Sequence, residues 1–347
     1  MENPYILRLG RQTCIFNSPH KTSLMRIFVH HPLQRFSLHE LCRRTGLTPE
    51  LVVEAASSLQ KERVPVGMYE FHSYFYDPQP DTLHPDSVAA QLQTRWWGKK
   101  IYLGDTITST IDIAKQLAAQ PEVHGTLVIA NQQSKGRGRQ GNTWLSRYGK
   151  DLLLTFLVRV PEWQPSPSLL SLYTTTAVAR VLDTAYHIPI TIKWPNDLMV
   201  NNKKLGGVLV ERDQENQYYR LSLGLNVLSM PEEFEPVIAN QTTSLVVTQP
   251  ETIWQRDHLL AQCGTTWEAL WEAMMRDGGA TVRGYWKRYT STLGKQIRFR
   301  YRDQIHSGFT RDIDEYGRLI IIKPEGEEIA LLAEEVQHLR LEEETTN

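Results

Sequence analysis

The six residues Gly136-Arg137-Gly138-Arg139-Gln140-Gly141 hold three glycines and two arginines, and Trp144 follows three residues later. Glycine lets a backbone approach a ligand closely and take φ > 0. Arginine adds a permanently charged fork of donors suited to carboxylate and phosphate oxygens. A loop with both properties is built to surround an anion. No G-x-x-x-x-G-K-[ST] phosphate loop occurs in the chain.

A second block supplies more polar chemistry. Lys193-Trp194-Pro195-Asn196-Asp197-Leu198 precedes Lys203-Lys204-Leu205-Gly206-Gly207-Val208-Leu209-Val210-Glu211. Ile190–Lys193 and Leu198–Val200 read as short strands, and Pro195 interrupts any ladder between them. Asn201-Asn202 reads as a hairpin tip with Lys204–Glu211 as the returning strand. Lys204 then stands at a strand start beside two glycines, while Lys203 reads as a solvated turn residue.

Together these blocks resemble the bacterial biotin protein ligases. The first is similar to that family's glycine/arginine adenylate loop, and the second to its K-W-P-N-D and K-L-x-G-I-L-V-E motifs. Gly224-Leu225-Asn226 matches a G-x-N at a strand end, and Ser109-Thr110 a Ser-Thr pair opening the first catalytic helix. The resemblance spans roughly residues 95 to 341. It implies two half-reactions: biotin and ATP, with Mg²⁺ on the phosphates, give biotinoyl-5′-AMP, and a lysine of a biotin carboxyl carrier protein then takes the acyl group. No protein metal ligand is implied. Carried over by position, Ser109, Thr110 and Gln133 bind the ureido end of biotin. Gly136, Arg137, Gly206 and Gly207 line its ring and chain. Lys204 holds the carboxylate, Arg139 retains the intermediate, and Asp197 orients the incoming lysine. Trp144, Asn196, Asn226 and Arg340 contact ATP or the adenylate. Lys135, Ser222 and Ile111 depart from the family pattern. A lipoate–protein ligase, which shares the superfold, is the alternative enzyme, and a biotinoyl-AMP-responsive repressor the alternative regulator.

The elements that must position these residues read as α+β. Residues 1–80 resemble a winged helix-turn-helix domain ending in a linker. Its first helix carries Leu24, Ile27 and Phe28 and stops at Pro32. A second opens with the capping-box pattern Ser37-Leu38-His39-Glu40, a third at Thr48-Pro49, and Val64–Tyr76 forms the wing. The proline-rich stretch Asp77–Asp81 reads as a separating linker. Residues 81–291 read as a mixed-sheet α/β ligase domain like the class II aminoacyl-tRNA synthetases and biotin ligases. Its strands are expected at Lys100–Leu103, Thr126–Asn131, Leu152–Val160, Ile190–Lys193, Lys204–Glu211 and Arg220–Leu225. Its helices are expected at Ser109–Ala119, Ser168–Tyr186 and Ile253–Met275. From 292 to 341, Gln296–Tyr301, Phe309–Ile313 and Arg318–Ile322 alternate with turn signals, as in an SH3-like β-barrel. Residues 342–347 read as a disordered tail.

Partners are bounded by charge. The net charge of −1 exerts no global pull on nucleic acid or anionic membrane. Residues 1–80 carry nine Lys/Arg against seven Asp/Glu, and the expected recognition helix holds Glu50 and Glu54 with no Lys or Arg before Lys61. DNA binding is therefore possible for the fold but disfavoured by its charges. Three widely spaced cysteines, with no C-x-x-C, point to free thiols. The absence of a signal-like start or an apolar run of ~18 residues points to a cytoplasmic protein with no membrane span. A homodimer is compatible with the resemblance.

Overall fold

The structure is a computed structural model that describes residues 5–9, 12–79, 81–213, 215, 217–301 and 304–341. Side chains are described except at 71, 334 and 337–341, and the expected tail at 342–347 lies outside the described residues.

Leu152–Arg159 shows how the sequence builds the central layer. A strand covered on both faces reads as a continuous apolar run rather than as an alternating one. Leu153 and Leu157 join a cluster with Ile113, Ala114 and Leu117 of the Thr110–Ala118 helix. Leu152, Leu154, Phe156 and Val158 join the cluster on the opposite face, with Leu170 and Leu172 of the Pro167–Tyr186 helix and Leu259, Leu260 and Trp267 of the Arg256–Asp277 helix. Trp97, Phe156 and Trp267 pack edge-to-face or tilted in its centre, with ring centroids 5.1–5.7 Å apart.

The sheet has nine strands, in the order 6–9, 12–16, 101–107, 127–133, 152–159, 218–225, 203–213, 197–200, 190–193. Ile101–Ile107 and Leu127–Gln133 are parallel, joined by the Thr110–Ala118 helix, and the other pairs are antiparallel. The expected strands and helices of this layer are present, most with ends shifted by a few residues. The Ala280–Tyr289 and Pro85–Gln91 helices lacked clear sequence periodicity and were not expected. Asn201 and Asn202 both take positive φ, 49° and 61°, as a two-residue type I′ hairpin turn demands.

The N-terminal unit has helices Pro19–His30, Leu38–Thr45 and Pro49–Lys61 and a three-stranded sheet of 36–37, 73–76 and 66–69 around its own core. The Ser37 hydroxyl caps its helix by accepting from Glu40 N–H. The Glu40 carboxylate pairs with Arg44, so only one bond of the expected capping box is formed.

Two expectations about this unit need correction. Residues 6–9 and 12–16 form a hairpin that extends the catalytic sheet, with Cys14 opposite Gly104 and Phe16 opposite Tyr102. The segment around Asp77–Asp81 is no free linker either. Asp77 N–H bonds Pro65 carbonyl, and Asp81 receives the backbone N–H and Nε of buried Arg256 at 2.7 and 2.6 Å. Proline-rich composition suggests a linker, but Asp81 is an acid placed to meet a buried cation.

The C-terminal residues form a five-stranded antiparallel sheet in the order 328–331, 319–322, 304–313, 296–301, 336–341. Leu319, Ile321, Ile297 and Phe299 join the main core, and Ala333 N–H donates to Ser168 Oγ of the Pro167–Tyr186 helix, so this layer packs against the catalytic layer. No helix among the described residues is long and apolar enough to cross a membrane.

Candidate active site

The ends of the central strands open into two adjoining cavities of about 340 and 520 Å³. Trp144 and Lys204 line both. The indole is brought there by a glycine. Gly224 lies beneath it, and a Cβ at 224 would come within 2.5 Å of the ring. Lys204 stands near the start of Lys203–Asp213, its Nζ 6.0 Å from the Trp144 ring centroid and 2.7 Å from Asp197 Oδ1.

The first cavity collects most of the residues singled out in the sequence. Thr110, Gln133, Arg137, Gly138, Arg139, Asn196, Asp197, Gly207 and Ser222 line it. Gln133 Oε1 accepts from Thr110 N–H at 2.8 Å and lies 3.1 Å from its hydroxyl, and Thr110, Thr155 and Ser222 hydroxyls continue the chain at 2.9 and 2.8 Å. Such a row presents donors and acceptors to a small polar head group while each member stays hydrogen-bonded. Ser109 is fully buried with its hydroxyl capping the helix at Ile111 N–H, so it supports the wall from behind. Gly206 also lies behind the wall, where a Cβ would meet Gly224 carbonyl at 2.7 Å.

The glycine/arginine segment folds over this cavity. Gly136 pairs with Trp144 and Arg137 with Thr143 in a short hairpin. A Cβ at 136 would lie 2.3 Å from Trp144 carbonyl, so the close approach requires glycine. Gly136, Gly138 and Gly141 also satisfy the spacing G-x-G-x-x-G. The segment turns into a strand, not an α-helix, so it lacks the strand–turn–helix context of a dinucleotide site. Arg137 is exposed and pairs with Asp112 at 2.6 Å. Arg139 reaches across to Asn196 Oδ1 at 3.2 Å and to the carbonyls of Ala333 and Val336, while Gln140 Nε2 donates to Val336 carbonyl at 2.8 Å. The C-terminal sheet thus grips the loop through backbone carbonyls, a contact that no side-chain pattern could announce.

The K-W-P-N-D block is a tight hairpin. Lys193 and Asp197 face each other across Trp194-Pro195-Asn196, and Asn196 locks the turn to Val208 through Nδ2 and its carbonyl. Gly207 lies opposite Asp197 and beside the Asp197–Lys204 pair, whose atoms would make ordinary contact, 3.4–3.5 Å, with a Cβ there.

Asn226 lines the second cavity, not the first, and its Nδ2 donates to Thr243 carbonyl at 2.9 Å. The residues expected to meet nucleotide are therefore split, with Asn196 in one cavity, Asn226 in the other and Trp144 between. Arg340 pairs with Arg298 in the last strand, and its side chain lies outside the described part. Sequence reasoning missed Asp151, which lines the second cavity and is 2% exposed. Burial pushes its carboxyl up to about 6, against the lowering bonds from Ser229 and Val227 and the charge of Arg256.

Among the described residues, one carboxylate–imidazole grouping has metal-like spacing, Glu62, His84 and Asp86. It lies between the N-terminal unit and the catalytic layer. The Lys21 ammonium takes the cation's place, 2.7 Å from Glu62 and 3.3 Å from Asp86.

Comparison with known proteins assigns this arrangement to a class. Residues 103–227 match the biotin/lipoate A/B protein ligase family, and residues 292–339 match the biotin protein ligase C terminal domain. The two matches fall on the catalytic layer and on the C-terminal sheet, in that order along the chain. The chain is 27% identical over 311 residues to the bifunctional ligase/repressor BirA of Bacillus subtilis, covering 88% of this chain and 95% of that one. It is 28% identical over 249 residues to the biotin–[acetyl-CoA-carboxylase] ligase of Mycobacterium tuberculosis, covering 70% and 90%. The biotin protein ligase of Aquifex aeolicus, solved with biotin and ATP, superposes with a TM-score of 0.61 at 25% identity over 70% of this chain and 99% of its own.

Proposed function

We propose that this protein activates biotin with ATP and transfers it to a lysine of a biotin carboxyl carrier protein. One observation carries the reading: a single cation, Lys204, stands on the shared wall of two cavities. One is closed by an arginine loop, and the other is suited to a nucleoside. A carboxylate in the first and an α-phosphate at the junction would meet at that ammonium. In the first step the biotin carboxylate oxygen bonds to the α-phosphorus and pyrophosphate leaves. In the second the lysine amine bonds to the acyl carbon, loses a proton, and AMP leaves. Both steps bring like charges or crowded groups together, so the protein's work is positioning and charge neutralisation.

In this reading Thr110 and Gln133 take the ureido group, with Ser109 holding the helix start behind them. Gly136, Arg137, Gly206 and Gly207 shape the ring and chain region. Lys204 binds the carboxylate, and Arg139, tethered to the C-terminal sheet, retains the adenylate. Trp144, Asn196, Asn226 and Arg340 serve the nucleotide, whose Mg²⁺ arrives with ATP as substrate. Asp197, already paired with Lys204, receives the incoming ammonium. We further propose that the N-terminal unit is a winged-helix module and the C-terminal sheet an SH3-like barrel. DNA reading is not part of the proposal, because exposed Glu50 and Glu54 stand on the third helix where a reader needs cations.

The test is incubation of the full chain with ATP, Mg²⁺, biotin and a biotin-carrier domain. The expected result is a mass gain of one biotinoyl group on the carrier, with biotin-dependent ATP–pyrophosphate exchange. Exchange supported by lipoate and not by biotin would overturn it in favour of lipoate ligation.

A further inference from the structure

The second cavity contains a buried acid whose chemistry is unused. Asp151 Oδ1 accepts from Ser229 Oγ at 2.8 Å and Val227 N–H at 3.3 Å. Both of these bonds go to Oδ1, which leaves Oδ2 without a protein donor among the described residues. The residue is 98% buried and lines the cavity beside Asn226 and Ser229. Among the described residues Oδ2 is not one of the fully buried polar atoms left without a partner; it keeps access to the cavity and is open to a donor that enters there. Its position is fixed from behind. Arg256 Nη1 donates to Asp151 carbonyl at 3.2 Å while Nε holds Asp81 at 2.6 Å.

We infer that Asp151 is a specificity-determining residue for the nucleotide, its free oxygen accepting from a neutral donor on the nucleoside. This rests on the ligase reading, which places a nucleotide here. A carboxylate repels phosphate, so the nucleoside end, with its ribose hydroxyls and adenine amine, is the part that can sit against it. The phosphates belong toward Lys204 on the wall shared with the first cavity. The charged groups around Asp151 are Arg256 behind it, Glu233 from the facing turn, and Arg147, Glu235 and Lys204 on the cavity wall; Lys150, its neighbour in sequence, pairs with Glu233 at 3.5 Å. Burial already raises this carboxyl to about 6. It is therefore mostly ionised at pH 7.5 and becomes neutral as pH falls through 6, when it ceases to be a charged acceptor.

The experiment measures biotin-dependent ATP–pyrophosphate exchange by the full chain with ATP, 2′-deoxy-ATP, 3′-deoxy-ATP and the triphosphate of purine riboside, which lacks the amine. Wild type, Asp151→Asn and Asp151→Ala are compared. Wild-type exchange with ATP and biotin establishes the ligase reading independently of Asp151. In wild type, one analogue should carry a KM penalty of about tenfold or more, as expected for a donor lost to a charged acceptor. That analogue says whether ribose or adenine supplies the donor. In both variants the KM for ATP should rise by about tenfold while the KM for biotin stays put, and the analogue penalty should shrink to about twofold. The wild-type rise in ATP KM below pH 6 should vanish in Asp151→Asn. That variant keeps an oxygen for Ser229 and Val227, and its Tm at pH 7.5 should be no lower than wild type. Retention of every analogue penalty in a folded Asp151→Asn would overturn the assignment. So would wild-type indifference to all three analogues.

Discussion

Arg256→Met should destabilise the protein strongly, and most of the loss should come from the acid left behind. Arg256 is 2% exposed, and its Nε pairs at 2.6 Å with Asp81, whose side chain is 8% exposed. The same guanidinium donates to Asp151 carbonyl at 3.2 Å. Methionine retains much of the apolar stem but no charge, so Asp81 keeps only the backbone N–H of residue 256. Removing one member of a buried pair costs about 3–5 kcal/mol, because the surviving charge is uncompensated. At roughly 2–4 °C per kcal/mol for a domain of this size, the melting temperature should fall by about 10 °C. Scanning calorimetry at pH 7.5 would be run on wild type, Arg256→Met, Asp81→Asn and the double variant. The double variant should melt above Arg256→Met alone, since it no longer buries an orphan carboxylate. Additivity of the two single effects within about 0.5 kcal/mol, or a fall of under about 2 °C for Arg256→Met, would refute the reasoning.

Lys204→Ala should lower biotin-dependent ATP–pyrophosphate exchange by about 10²-fold or more, the scale of losing one donor to developing charge. Its melting temperature should move little, because the pair with Asp197 is 38% and 25% exposed; exchange at the wild-type rate would remove Lys204 from the mechanism. The Glu62 carboxyl is raised by burial, but the bonds and charges of His84 and Lys21 outweigh this and hold it down at about 2, below its ordinary 4.5. A depressed acid contributes stability above its unfolded pKa and loses it as pH falls through the folded value. The melting-temperature gap between wild type and Glu62→Gln should therefore be constant above about pH 5 and close progressively between pH 4.5 and 2. Deleting residues 1–80 should give an aggregating or poorly folded chain, and a soluble fragment melting within a few degrees of the full chain would contradict this.

What could be read from the sequence was whatever depends on local pattern. Asn201-Asn202 announced a hairpin tip, and the structure gives both residues the positive φ that few residue types tolerate. The run Leu152–Val160 announced a strand, and its coverage on both faces explains why it lacks alternation. Thr110, Gln133, Arg137, Arg139, Asn196, Asp197, Lys204 and Gly207 do meet around one cavity. The illegible parts depend on contacts between distant residues. Asp151 looked like one more loop acid, and its character comes from Arg256, Ser229 and Val227, at least 76 residues away. The carbonyls of Ala333 and Val336 that hold Arg139 carry no sequence signal. The Gln12–Phe16 strand was hidden because its partner, Ile101–Ile107, lies beyond the whole helical unit.

That hidden pairing changes how the N-terminal unit relates to catalysis. A module joined by a free linker could be removed at no cost to the rest, yet here the chain enters the catalytic sheet, leaves to build three helices, and returns. On its return Asp86, fully buried, accepts from Ser18 N–H at 2.8 Å and Thr22 hydroxyl at 2.7 Å, the first capping and the second within the first helix. Lys21, on that same helix, binds Glu62 and Asp86 together. Truncation at residue 80 would strip Asp86 of these partners and uncover the face of the Pro85–Gln91 helix that packs against the first helix. It would also expose the edge of Ile101–Ile107, the strand that leads into the Ser109-Thr110 helix start at the first cavity. Asp81 and Arg256 then carry the same junction on to Asp151 at the second cavity. Each cavity thus has a structural route to the N-terminal unit, one through a strand edge and one through a buried ion pair. The unit is part of what holds the site in shape, whatever else it binds.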